Sequence, residues 1–67
     1  MPKNKIPSLR SVWKHHSGRI YEVDDIRNEH STNDEYPITV CYVGANGYKW
    51  SKSITRWHET MTWLSDA

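Results

Sequence analysis

The sequence predicts a mainly β protein: a small, strongly bent antiparallel barrel of about five strands with one short helical or 3₁₀ turn near residues 54–58. Three observations carry that expectation. Trp13 to Val23 reads as a short strand, a tight turn at Ser17-Gly18 and a longer strand. Tyr36 to Val43 alternates in a way that suits a strand, with Ile38, Val40 and Tyr42 on one side and Thr39, Cys41 and Val43 on the other. Asn46-Gly47 follows as the strongest hairpin signal in the chain.

Gly18 is the position for a positive φ, which a bulky residue would resist. Trp13 and His15 share one face before the turn, and Tyr21 and Val23 share one after it. Along residues 19–27 the inward parity of Tyr21 and Val23 fails at Ile26, which falls in phase with Glu22 and Asp24. A bulge near Asp24-Asp25 returns Ile26 to the core and bends the strand, as a small barrel requires.

Asn28 to Glu35 contains no apolar residue and reads as a solvated loop. The Tyr36–Val43 strand is apolar on both faces, which predicts a central strand with Cys41 buried. Pro37 sits near its start, where a missing amide is tolerated. A type I′ turn at Asn46-Gly47 leads into Tyr48 to Lys52, with Tyr48 and Trp50 on one side and Lys49 on the other. Ser53 is placed to cap a short helical turn, after which a brief strand closes the barrel. Residues 1–10 read as a flexible basic arm, because Pro2 and Pro7 oppose regular structure. Residues 11–65 then form the single β domain.

A chain of 67 residues has room for one core. Four Trp and four Tyr with no Phe make large rings its chief source of buried area. Cys41 is the only cysteine, which excludes an internal disulfide and a cysteine-based zinc site. No apolar run is long enough to cross a membrane, and the N-terminus lacks the apolar segment of a secretion signal. The expected location is therefore the cytoplasm.

The net charge of +1 falls well short of the basic signature of a dedicated nucleic-acid binder. Charge placement is uneven, however. Five basic residues, Lys3 to Arg19, precede any acid, and Glu22 to Glu35 is acidic apart from Arg27. Lys49, Lys52 and Arg56 then restore positive charge.

No catalytic set assembles. Asp24-Asp25 and Asp34-Glu35 read as solvated charges, and Gly44-Ala45-Asn46-Gly47 lacks the Lys-Ser/Thr of a phosphate loop. His15 and His16, as neighbours on a strand, point to opposite faces and do not easily grip one metal. A site would need one of them with His30, His58 or a carboxylate of the acidic middle, and no spacing supports that. His15 is expected beside Trp13, hydrogen-bonded to the backbone. The reading is a non-enzyme with no cofactor, no metal and no catalytic residue. The candidate binding residues are Tyr48, Lys49, Trp50, Lys52, Arg56 and Trp57, with Lys14, Arg19 and Tyr21 as neighbours. Rings beside cations suit stacking on bases with phosphate contacts, or gripping a peptide. The bland account, that most rings are core, takes the larger share.

Trp13-x-His15-x-x-Gly18-x-x-Tyr21-x-Val23 resembles the opening signature of a short bacterial and bacteriophage family, a domain of unknown function. Its members continue with a Tyr-containing strand, a turn, Gly-x-x-Trp, Arg-Pro and a closing Phe-x-Glu. Tyr42, Gly47, Trp50, Trp57 and Glu59 occupy those places here, so the likeness spans residues 13–61. Two departures stand out: Ser51-Lys52-Ser53 replaces the segment containing Arg-Pro, and Trp57 replaces Phe. Lys52 lacks the planar fork of arginine. The resemblance implies an SH3-like barrel of prokaryotic or phage origin and brings no catalytic residues. The leading expectation is a binding module, a phage-type accessory protein that engages a bacterial host protein. The alternatives are a nucleotide-sequestering protein and a nucleic-acid binder.

Overall fold

The computed structural model describes residues 6–66. Five strands and one helix follow in the order β1 (Val12–His15), β2 (Ile20–Arg27), β3 (Thr39–Gly44), β4 (Lys49–Ser53), α1 (Ile54–Thr60) and β5 (Met61–Ser65). All neighbours pair antiparallel in one sheet of order β4-β3-β2-β1-β5. The expected barrel closure is corrected here, because β4 and β5 are the two edges of the sheet and do not pair. The segment joining those edges is a helix. It packs across the inner face and leaves no ladder between them.

Both tight hairpins use the same backbone device. At the first, Gly18 N–H donates to His15 O at 2.8 Å, and His15 N–H donates to Arg19 O at 2.8 Å. At the second, Gly47 N–H donates to Gly44 O at 2.9 Å, and Gly44 N–H donates to Tyr48 O at 3.2 Å. Gly18 and Gly47 take φ of 97° and 83°. Each is the left-handed residue that ends a three-residue loop and restores the strand twist. Asn46 does not share the positive φ, so the expected type I′ turn is replaced by this longer loop. Its carboxamide oxygen instead accepts from Tyr48 N–H at 3.1 Å, which stabilises the turn locally.

The bulge expected in β2 is present. Val23 pairs with Tyr42 and Asp25 with Cys41, so Asp24 has no partner in the ladder. Ile26 thereby joins Val40 on the same face as Val23 and Tyr42. A second irregularity lies in β5, where Trp63 pairs with Trp13 but Ser65 pairs with Val12. Leu64 is the residue left out.

The core is Trp13, Val23, Val40, Tyr42, Ile54, Trp57 and Met61, with Tyr21, Ile26 and Ile38 packed against it. α1 supplies the lid. Ser53 Oγ accepts from Arg56 N–H at 3.4 Å as its cap, and Ile54 and Trp57 turn inward at the i, i+3 spacing. The helix reaches Thr60, two residues past the expected turn, despite Thr55 and Thr60 within it. Burial of Trp57 outweighs weak propensity, since tertiary packing is the main source of stability for a helix this short.

Residues 1–5 of the expected N-terminal arm lie outside the described residues. From Pro7 the chain is tied down, and Pro7 itself is buried. Ser8 O accepts from Ser11 N–H at 3.1 Å and from Ser11 Oγ at 2.6 Å. Ser11 is fully buried, and its Oγ in turn accepts from Trp13 Nε1 at 2.9 Å. Arg10 N–H donates to Val23 O, and Val23 N–H to Ser11 O, each at 2.9 Å. One buried hydroxyl thus anchors both this segment and the Trp13 ring.

Candidate functional site

Strand parity and the bulge divide the charged and aromatic side chains between two faces of the sheet. On the outer face, Asp24, Asp25, Arg27, Cys41, Lys49 and Ser51 border an open depression of about 330 Å³ together with Trp50. Its charges are mutually paired. Arg27 Nε meets Asp25 Oδ2 at 2.9 Å, and Lys49 Nζ meets Asp24 Oδ2 at 3.3 Å. Asp25 Oδ1 also accepts from Ile26 N–H at 2.9 Å. Cys41 is only half-buried here, contrary to the expected full burial, because no layer covers this face of β3. Among the described residues, no group of three or more His, Cys, Asp or Glu side chains converges to hold a metal ion.

On the inner face, rings run in a continuous series from the surface into the core. His16 and His15 stack with centroids 4.1 Å apart. His15 meets Tyr21 at 6.4 Å, Tyr21 meets Tyr42 at 5.1 Å, and Tyr42 meets Trp57 at 5.0 Å. Trp57 continues to Trp13 at 5.4 Å, and Trp13 to His58 at 5.9 Å. Most of these contacts are edge-to-face, the arrangement that aligns a ring's positive edge with its neighbour's negative face. Tyr21 lies over Gly44, where an added Cβ would sit 3.1 Å from Tyr21 Cε1. A side chain at residue 44 would therefore push the Tyr21 ring aside.

Two histidine expectations are corrected. His15 and His16 do not diverge, because His16 already belongs to the turn and strand alternation ends at His15. The histidine beside Trp13 is His58 rather than His15. His15 Nδ1 is instead held by Ser17, at 2.8 Å from its Oγ and 3.1 Å from its backbone N–H. The ring's pKa is lowered by burial and by the positive charges of His16, Lys52 and Arg19.

The nine candidate residues separate accordingly. Trp57 is 0% exposed and belongs to the core, so no ligand reaches it. Lys49 is engaged by Asp24, and Lys14 lies on the outer face opposite Ile20 and Thr62. Arg56 pairs with Glu59 at 3.6 Å along the helix. Tyr48 and Trp50 are 65% and 52% exposed at the start of edge strand β4. Lys52, Arg19 and Tyr21 gather around the histidine pair. Lys52 is half-buried, with Nζ 5.7 Å from the Tyr42 ring centroid and donating to Thr60 Oγ1 at 2.9 Å. Burial, and secondarily Arg56, lowers its pKa.

Sequence reasoning missed His15, His16 and Thr60 as neighbours of Lys52. Thr60 joins them, since its backbone O accepts from His16 N–H at 3.0 Å while its hydroxyl accepts from Lys52. No spacing in the chain signals that contact, which links residues 16, 52 and 60. Trp63, 53% exposed on the other edge strand with Nε1 donating to Asp66 Oδ1 at 3.0 Å, was also not among the candidates.

No family model, no curated protein and no solved structure matches this chain. Its fold and site therefore rest on its own residues.

Proposed function

We propose that this protein is a non-enzymatic binding module, a small phage-type accessory protein that engages a bacterial host protein. The observation that carries the reading is the placement of Tyr48 and Trp50. Two large rings stand mostly exposed, Trp50 on edge strand β4 and Tyr48 just before it, and the outer backbone groups of that strand have no partner strand. Exposed rings of this kind contribute disproportionately to protein interfaces, and an open strand edge supplies backbone donors and acceptors for a partner.

The test is affinity capture from bacterial lysate with the wild-type chain and Trp50→Ala in parallel. The wild type should retain a partner that the variant loses, while the variant's circular dichroism stays native. Equal capture by both proteins, or none by either, overturns the reading.

A further inference from the structure

The outer face neutralises its own charges, whereas the inner rim beside the first hairpin does not. Lys52, His15, His16 and Arg19 gather there, and among the described residues none of them pairs with a carboxylate. The Lys52 ammonium spends one donor on Thr60 Oγ1 and keeps its others unassigned, beside the π face of Tyr42. Thr60 holds it close to the hairpin, because the same residue's carbonyl fastens His16 N–H. The His15 ring is held by Ser17, and His16 is stacked on it at 4.1 Å. Two groups that become cationic on protonation thus lie within electrostatic reach of two that are already cationic. Such a cluster repels itself when empty and is relieved by an anion.

We propose that this notch, formed by the β1–β2 hairpin, Lys52 and Thr60, binds the phosphoryl group of a phosphate-bearing small molecule. A dianion suits the charge of the cluster, and its oxygens suit several N–H donors converging from separate elements. Lys52 supplies a point charge, Arg19 a donor fork, and His15 and His16 ring donors once protonated. The site uses neither Tyr48 nor Trp50, although Lys52 lies on the same edge strand.

Binding of an anion whose charge is constant over the range should tighten as pH falls. His15 is held below the ordinary histidine value by burial, His16, Lys52 and Arg19, with Tyr21 facing it from β2 and Arg56 facing Lys52 from α1. An anion reverses the coulombic part of that shift, so His15 takes up a proton on binding. The affinity for an anion of constant charge therefore rises as pH falls, whereas a phosphate is itself protonated near a pH of about 6.

The experiment is a ¹H–¹⁵N chemical-shift titration of the full chain with inorganic phosphate, adenosine 5′-monophosphate, and adenosine, at constant ionic strength with chloride as reference. The expected result is saturable shifts at His15, His16, Arg19, Lys52 and Thr60 with phosphate and the monophosphate. Lys52→Gln and Arg19→Gln should each weaken binding roughly tenfold, the scale of a lost charge-assisted hydrogen bond. Arg19 is exposed in the turn, so its variant tests the site even if Lys52→Gln perturbs folding. Tighter binding of the monophosphate identifies an organic phosphate as the better ligand, and equal binding identifies the free anion. Sulfate, whose charge is constant over the range, should bind more weakly as pH rises. Shifts no larger than those from chloride, shifts from adenosine alone, or unchanged affinity in both variants would overturn the site.

Discussion

The two faces of this sheet treat their charged side chains in opposite ways. On the outer face, Asp24 and Asp25 meet Lys49 and Arg27, and the charges cancel across neighbouring strands. On the inner face, a series of rings runs from His16 to His58 through Trp57, with only cations at its open end. The first arrangement is exposed and screened, so it contributes little to stability. The second holds the fold together and leaves charge unsatisfied where a ligand can reach it. The core thus occupies the centre of the inner face, and the proposed anion site lies at its rim.

The largest expected effect breaks that inner series. Trp57→Ala removes a fully buried ring that touches both Trp13 and Tyr42 and should cost about 3–5 kcal/mol, enough to unfold most of a domain this small. Thermal denaturation followed by circular dichroism reads it. Trp50→Ala, at the exposed rim, serves as the contrast and should leave the midpoint nearly unchanged. A comparable loss in both variants would erase the distinction between core and rim. One detail sharpens the contrast further, because Trp57 Nε1 is buried with no hydrogen-bond partner among the described residues. The ring contacts of Trp57 must therefore offset an unmade bond, whereas Trp13 has Ser11.

Ser11→Ala probes that difference and should have the middle effect. It strips the acceptor from Trp13 Nε1 and one of the two donors from Ser8 O, and should cost about 1–3 kcal/mol in urea unfolding. A neutral result would mean that a buried tryptophan here tolerates an orphaned N–H in general. Asp24→Asn should have the smallest effect, below about 1 kcal/mol and shrinking with added salt, because Lys49 and Asp24 are both substantially exposed. A larger loss would show that the outer face is a structural element in its own right.

Acidification separates the faces in the same assay. The folded His15 pKa lies below its unfolded value, so the unfolded chain binds the proton more readily. The stability that neutral His15 contributes is fully present above a pH of about 6.5 and is lost as pH falls toward the folded value.

Much of the backbone plan was legible in the chain. Gly18 and Gly47 marked the two hairpins, Ile26 betrayed the bulge by breaking parity, and Ser53 announced the start of α1. These are local features, set by steric limits on φ and by the two-residue period of a strand. The candidate site was legible only in part. Lys52, Arg19 and Tyr21 were named, but Trp57 was included with them although it lies in the core. Rings that bind and rings that pack look alike in sequence, since both lie on apolar faces beside basic residues.

What the sequence alone determined was the class, mainly β with one short helix, and the register devices that bend it. Tertiary structure decided the rest. It left β4 and β5 unpaired as edges, because the strand expected to close the barrel after the helical turn pairs with β1 at the far side of the sheet, and α1 spans the distance between them. It also brought Thr60 against both His16 and Lys52, and so created the cationic notch. Such contacts depend on how distant segments pack around the buried Trp57 ring, and no local pattern encodes that distance.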